Sequence, residues 1–416
     1  MQPRLFVMGA AVLLAQLLPT HAHALEQNDL PLTLEQAITL TLSANPALRS
    51  ASLSVAIAEA AQQQAGLMPN PELAVLREGG SSLNATETVQ LSQLLELGGK
   101  RGARVALADQ ERALAAGDAR ILRAALRADV TAAYLDALTA QEHVTLATES
   151  LNLAGKAASA ADRRVAAGKI SPLEQTRSNV AQASARLELS QASADALMAR
   201  RRLAAFWGAS EATARPLLAP EASLAAIPTL AALQTRLQAS PQMQRARMQI
   251  RREEARLDLA KAERIPDLTV TLGNKKDRQS NLSQAVFGLS IPLPLFDRQQ
   301  GNLLAAQRGI DKARADAELE YLQASQALAQ AHQRATLAQE QIEAMRKEIL
   351  PAAQSAFDAA VTGFELGKFG FIDVLDAQRT LFQSRAQYLG ALAARYRALA
   401  ELERFVAVEP TDRNTQ

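Results

Sequence analysis

Apolar and small residues recur every seven positions through Ala317, Ala324, Ala331, Ala338, Met345 and Ala352. A second row follows four places behind each of these, through Tyr321, Leu328, Ala335, Ile342, Ile349 and Ala356. The two rows predict the seam of a coiled coil on one very long helix starting near Arg298. The pattern breaks at Gly367-Lys-Phe-Gly-Phe-Ile-Asp-Val-Leu-Asp-Ala377, and a new amphipathic pattern continues through Leu375, Leu381, Leu389, Leu392 and Leu399 to Val406. Gly367 and Gly370, three apart, give the backbone the freedom a reversal needs, so the break predicts a helix-turn-helix tip.

The tip has a twin 199 residues upstream, at Gly168-Lys-Ile-Ser-Pro-Leu-Glu174. Gly168 aligns with Gly367, Lys169 with Lys368, Leu173 with Ile372 and Glu174 with Asp373, which predicts a tandem duplication. A first helical stretch begins at Leu34 with Thr33 as N-cap, meets Pro46, resumes from Leu48 to Gln64, and ends at Gly66, Pro69 and Pro71. The period then falls to two. Leu73 and Val75, then Val89 and Leu91, alternate with polar or small residues and predict a hairpin over about 71–94. From Gly102 a helix carrying Leu107, Leu114, Ile121, Val130, Tyr134 and Leu138 runs to the first tip; some 65 residues span on the order of 100 Å. A helix from Pro172 returns to Trp207, the only tryptophan, expected to pack where the helices meet a linker.

The second half repeats this order. Pro241 matches Pro46, a hairpin is predicted over about 267–291 with Val270 and Leu289 on its apolar face, and Pro292, Pro294 and Gly301 stand where Gly98, Gly99 and Gly102 stood. The expected organisation is a leader at 1–24, a first repeat at 25–208 with its tip at 168–171, and a linker at 209–227. A second repeat at 228–408 has its tip at 367–370, and a tail covers 409–416.

Composition narrows the class. The chain has 416 residues, 48% hydrophobic and only 4% aromatic, which suits closely packed helices. Arg4, the apolar run from Leu5 to Leu18, and Ala22-His23-Ala24 predict a secretory signal cleaved after Ala24. No later stretch supplies 18 uncharged apolar residues, so no helix is expected to span a membrane. Charge is nearly balanced, which gives no footprint for nucleic acid. There is no cysteine, hence neither a lipid anchor nor a disulfide. The mature chain keeps two isolated histidines, His143 and His332, and shows no metal-ligand spacing, phosphate-cradling loop or nucleophile, so neither an enzyme nor a cofactor is expected. Glu253 and Glu254 sit in charge-mixed helical faces.

Strands of about nine residues with one apolar face fit strands crossing an outer membrane, with a half-buried soluble sheet as the alternative that the pattern alone leaves open. Four cannot close a barrel and open edges are not tolerated in lipid, so several copies must combine; three would give twelve strands over a tube of helices. The leader, repeats, hairpins and tips together resemble the TolC-type outer-membrane channel family, over nearly all of the mature chain. The resemblance is most specific at Phe371-Ile-Asp-Val-Leu-Asp-Ala377, and Leu94-Leu-Glu-Leu-Gly-Gly-Lys-Arg-Gly-Ala-Arg104 resembles its heavy-metal subgroup, of the cobalt, zinc and cadmium type.

The resemblance implies a mainly helical fold with transmembrane β structure. In it a homotrimer forms an α-barrel tunnel and a twelve-stranded β-barrel in outer-membrane lipid. It also implies docking to a periplasmic adaptor (membrane fusion) protein and an inner-membrane resistance-nodulation-division pump. The expected docking residues are Arg164, Gly168, Lys169, Ser171, Gly367, Lys368 and Gly370. Asp373 and Asp376, three apart on one helix face, are the expected gate, though acids at a helix start are also stabilised by the dipole alone. Phe364 and Phe369 stand where the family has tyrosine and arginine, so a closed-state latch must differ, with Lys368 as a candidate. Drug efflux or type I secretion is the alternative cargo, and a periplasmic coiled-coil adaptor the alternative of another class.

Overall fold

The computed structural model describes residues 30–79, 85–211, 215–219, 227–366 and 368–406. The leader, the first hairpin's loop at 80–84, most of the linker, Gly367 and the C-terminal tail lie outside the described residues. The elements run α1 (Leu34–Ala44), α2 (Pro46–Ala65), β1 (Glu72–Glu78), β2 (Thr86–Leu95), α3 (Lys100–Ala166) and α4 (Pro172–Ala205). Then follow α5 (Leu230–Leu237), α6 (Pro241–Glu263), β3 (Leu268–Asp277), β4 (Leu282–Ser290), α7 (Gln300–Ala344), α8 (Leu350–Glu365) and α9 (Phe371–Val406).

Three helix starts use one device. Asn45, Ser171 and Ser240 are N-caps whose side chains accept a backbone N–H, each followed by a proline at the first helical position. Proline there gives up an N–H that has no helical partner, so each kink in the path is stable rather than strained. Thr33 and Gln36 form a reciprocal capping box at the start of α1.

The strands form one antiparallel sheet in chain order, β1-β2-β3-β4. The two hairpins are joined by β2 against β3, with Leu91 opposite Leu272 and Gln93 opposite Val270. This register puts Leu73, Val75, Val89, Leu91, Val270, Leu272, Phe287 and Leu289 on one face. That face is turned to the surroundings: Phe287 is 68% exposed and Leu289 60%. The other face carries Thr88, Ser92, Thr269, Thr271, Gly288 and Ser290, with the Ser92 and Thr271 hydroxyls 2.9 Å apart.

The helices lie in the same lateral order as the strands they serve. Next to the sheet, α3 packs against α2 and α6, and α6 against α7; toward the tips, α3 packs against α4 and α9, and α9 against α7 and α8. One flank of the layer is therefore α2, β1 and α4, and the other is α7, α8 and β4. α3 alone has 67 residues, roughly 100 Å of helix. Midway along it Tyr134, fully buried, donates its hydroxyl toward the carbonyls of Leu32 (2.7 Å) and Leu218 (2.6 Å) and accepts the Leu218 N–H at 3.1 Å. Burial pushes that hydroxyl up to about 12 against the lowering hydrogen bond to Leu218. The tyrosine fastens the start of the described chain, where Leu32 bridges Leu217, to the linker. Trp207 packs on the same cluster.

The α7 seam follows the heptads as far as Ala338 and Ile342, both buried, and then departs from them. Met345–Ile349 is a π-helical turn, with the Leu350 N–H bonded five residues back to Met345 O. One extra residue enters, so Ala353 and Ala360 are buried while the expected Ala352 and Ala356 are exposed. Pro351, which lacks an N–H and would crowd the carbonyl four residues earlier, is the physical reason. The part expected of Gly301 falls instead to Gln299, which caps α7 at φ 58 as Gly99 caps α3 at φ 74.

Face polarity gives the first prediction. Leu289→Arg should disfavour membrane insertion by about 2–4 kcal/mol near the bilayer midplane, whereas Ser290→Arg next to it should insert normally. Urea-dependent insertion into lipid vesicles measures both; equal behaviour would contradict the assignment of the apolar face to lipid.

Candidate functional site at the helical tips

The first tip is closed by its own backbone. Ala167 caps α3, Gly168 takes φ 67, the Gly168 N–H bonds to Val165 O at 2.9 Å and the Lys169 N–H to Arg164 O at 2.8 Å. This is the paired bonding that ends a helix on a left-handed residue, a conformation natural to glycine. Ser171 Oγ then accepts the Leu173 N–H at 3.1 Å and starts α4. The Gly168, Lys169 and Ser171 side of the turn is exposed.

The second tip closes differently. The N–H groups of Lys368 and Phe369 both reach Gly363 O, at 2.8 and 3.2 Å, and the Phe369 ring lies directly on Gly363: a Cβ there would stand 2.1 Å from the Phe369 ring. Gly370 N–H donates to Asp373 Oδ2 at 2.8 Å, and the Asp373 N–H to Gly370 O at 3.2 Å. Asp373 therefore holds the first turn of α9 in a capping arrangement, and Asp376 follows on the same helix, both exposed. The Lys368 side chain is exposed, and Gly367 lies outside the described residues.

The two tips touch. The Arg164 guanidinium sits 4.1 Å over the centre of the Phe364 ring, within the range where a cation is attracted to an aromatic face. Arg164 is thus half-buried and stacked rather than held out to solvent. Phe364, which has no hydroxyl with which to make a polar latch, serves as the platform. Gly363 and the Arg164–Phe364 pair carry no motif of their own in the sequence, but a signal existed. Subtracting the repeat offset of 199 from 364 gives 165, one place from Arg164, so equivalent ends of the two hairpins meet.

The tips, the open four-stranded sheet and the duplicated layer make a specific combination, and the sequence model of the family described as "Outer membrane efflux protein" matches residues 37–209 and 232–407. The chain belongs to the outer membrane efflux protein family. The efflux channel is 41% identical over 380 residues to the cobalt-zinc-cadmium resistance protein CzcC of Cupriavidus metallidurans, covering 90% of each chain. Its fold is that of solved channels. It superposes on CusC, described for transmembrane channel formation, with TM-score 0.77 at 19% identity, covering 91% of this chain and 94% of that one. It matches the open-state MtrE outer membrane channel of Neisseria gonorrhoeae with TM-score 0.73 at 20% identity, covering 90% and 88%. It is a transport protein of the outer membrane, mostly helical with a small four-stranded sheet; among the described residues no helix is long and apolar enough to cross a bilayer. The adaptor alternative is set aside by the same match.

The tip contacts give the second prediction. Gly363→Leu should displace the Phe369 ring and increase proteolytic cleavage at residues 363–370, while Arg164→Lys, which keeps the charge without the planar stack, should loosen the two tips less than Arg164→Ala. Limited proteolysis of membrane-inserted protein reads both; unchanged cleavage in Gly363→Leu would contradict the packing described.

Proposed function

We propose that three copies of this efflux channel form the outer-membrane exit duct of a tripartite system that expels divalent heavy-metal cations. The observation that carries the cargo is the 41% identity, spread over 90% of both chains, to a protein named for cobalt, zinc and cadmium resistance. The trimer is supported by the two flanks of the layer. Each edge of the sheet lacks a partner strand among the described residues, and each helical flank exposes apolar residues. On α4, Leu173, Val180 and Leu187 recur at sevens and are 57 to 61% exposed, and α7 exposes Leu319, Leu322 and Leu337. Unlike edges that complete one another head to tail close into a ring, and three copies bring twelve strands.

The tips at Gly168–Ser171 and Lys368–Gly370 meet a periplasmic adaptor, which links the duct to an inner-membrane resistance-nodulation-division pump. Lys169 and Lys368 present exposed ammonium groups there, and Gly168 and Gly370 let a partner backbone approach closely; Gly367, the third expected docking glycine, lies outside the described residues. Arg164 contributes by stacking on Phe364 and holding the two tips in one docking unit. Asp373 and Asp376 gate the periplasmic end: three copies bring six carboxylates to it, a charge ring that attracts cations and holds them briefly. Asp373 has the further role of capping α9.

The third prediction separates those roles. A strain lacking the channel should lose growth in zinc, cobalt and cadmium while keeping its drug resistance, and the unmodified gene should restore it. Asp373→Asn with Asp376→Asn keeps an oxygen for the Gly370 N–H but removes the charge. In planar bilayers this variant should lose cation selectivity and block by multivalent cations, with assembly intact. Loss of drug resistance with unchanged metal tolerance would overturn the cargo, and unchanged selectivity would overturn the gate.

A further inference from the structure

Strongly exposed apolar residues flank the sheet where strands hand over to helices, and among the described residues Phe296 and Leu293 are the most exposed large hydrophobics. Between β4 and α7, Leu293 is 75% exposed, Leu295 65% and Phe296 92%. At the other flank of the same level, between α2 and β1, Leu67 is 58% exposed and Met68 70%. Among the described residues neither group is covered, and they sit at opposite edges, so they cannot cover one another in one copy. Three strand spacings of about 4.8 Å keep the flanks roughly 14 Å apart.

The chain contains a worked template for what covers them. Where β2 leaves the sheet beside the incoming β3, Leu95 is paired with Leu268, the Leu97 N–H bonds to Asp267 Oδ1 at 3.1 Å, and Lys100 Nζ reaches the same oxygen at 2.6 Å. Ile265 lies so close to this exit that a Cβ on Gly98 would stand 2.7 Å from Ile265 Cδ1. At this internal joint the segment leaving one strand packs on the segment entering the next. The sequence around β1 matches that around β3 without a gap: Met68-Pro69-Asn70 corresponds to Ile265-Pro266-Asp267, and Leu73 and Val75 to Val270 and Leu272. Leu295 and Phe296 correspondingly follow β4 as Leu97 and Gly98 follow β2.

We infer that Leu295 and Phe296 of one copy pack on Leu67 and Met68 of the next, forming a hydrophobic clasp between copies at the junction of barrel and tunnel. The occupant is a second copy of this chain because the patch continues directly from β4, whose free edge can be satisfied only by another strand, and because the free strand at the complementary flank, β1, brings Leu67 and Met68 to the matching level. The internal joint has Gly98 against Ile265 at its centre and the Lys100–Asp267 ion pair at its rim. At the joint between copies Phe296 stands where Gly98 is, Met68 where Ile265 is and the uncharged Asn70 where Asp267 is, so apolar burial takes over the role of the ion pair.

This inference rests on the ring proposed above, and the test separates the two. The native chain has no cysteine, so Met68→Cys combined with Phe296→Cys introduces the only thiols. Oxidation in membranes, or a short bismaleimide, should convert the protein to covalent dimers and trimers on denaturing gels, with neither single variant giving a trimer. A second pair, Leu67→Cys with Leu295→Cys, should behave alike. In the otherwise unmodified chain, Phe296→Ser should lower the temperature at which the assembly separates into single chains without changing its helical circular dichroism. Particles of three-copy mass that both pairs leave unlinked, with an unchanged separation temperature for Phe296→Ser, would overturn the clasp and leave the ring standing. A chain that stays single in lipid would overturn both.

Discussion

Backbone groups inside a bilayer have no water to bond with, and the outer edges of β1 and β4 present two rows of them. Leaving each such group unpaired costs several kcal/mol, far more than a single-domain protein can absorb across two whole strands. The sheet is therefore built to be completed from outside, and the rest of the chain follows that requirement. Helices are laid down in the same lateral order as strands, so the flank that offers a free strand also offers α4 with its row of Leu173, Val180 and Leu187. One closure then satisfies hydrogen bonds in the membrane and apolar surface in the periplasm together.

The interior of each copy obeys a different economy. Seams lined by alanine allow helix axes to approach closely over great length, and they leave little that is specific to any one register. Specificity comes from a few side chains placed far apart. Tyr134 fixes the middle of α3 to two backbone segments, Lys100 and Asp267 fix its upper end, and the Arg164–Phe364 stack fixes its lower end. At Asp267, burial alone would raise the carboxyl, but the Lys100 ammonium and the Leu97 N–H prevail and hold it below the usual carboxylate range. Such contacts set the rotation of a helix that its alanines would leave free.

Much of the fold was legible because membrane strands and long helices have simple periods. Leu268, Val270 and Leu272 alternate in the sequence and lie on one face of β3, and the alanine rows of α7 run as the heptads predict up to Ile342. The pattern fails where one local event resets it. Pro351 was visible, but a proline inside a helical pattern can produce a kink, a break or a π turn, and only the last shifts the seam from Ala352 to Ala353. The positive φ at Gln299 was hidden because nothing in the sequence sets that glutamine apart from the glycine expected to do its work. At the tips, Gly168 and Ser171 follow local rules of helix ending and could be read directly. The contact of Arg164 with Phe364 spans two hundred residues and could be reached only by superposing the repeats. Asp373 shows why residue type alone underdetermines a role: a carboxylate three residues into a helix is both a cap and a charge.

If closure occurs between copies, β4 of one pairs with β1 of the next, and a cryo-EM reconstruction of the protein in lipid nanodiscs resolves that boundary. The expected result is a threefold particle with twelve continuously hydrogen-bonded strands, in which the three boundaries between copies join β4 to β1 and place α7 and α8 beside α4. A particle with open sheet edges, or one whose copies meet through like flanks, would contradict it.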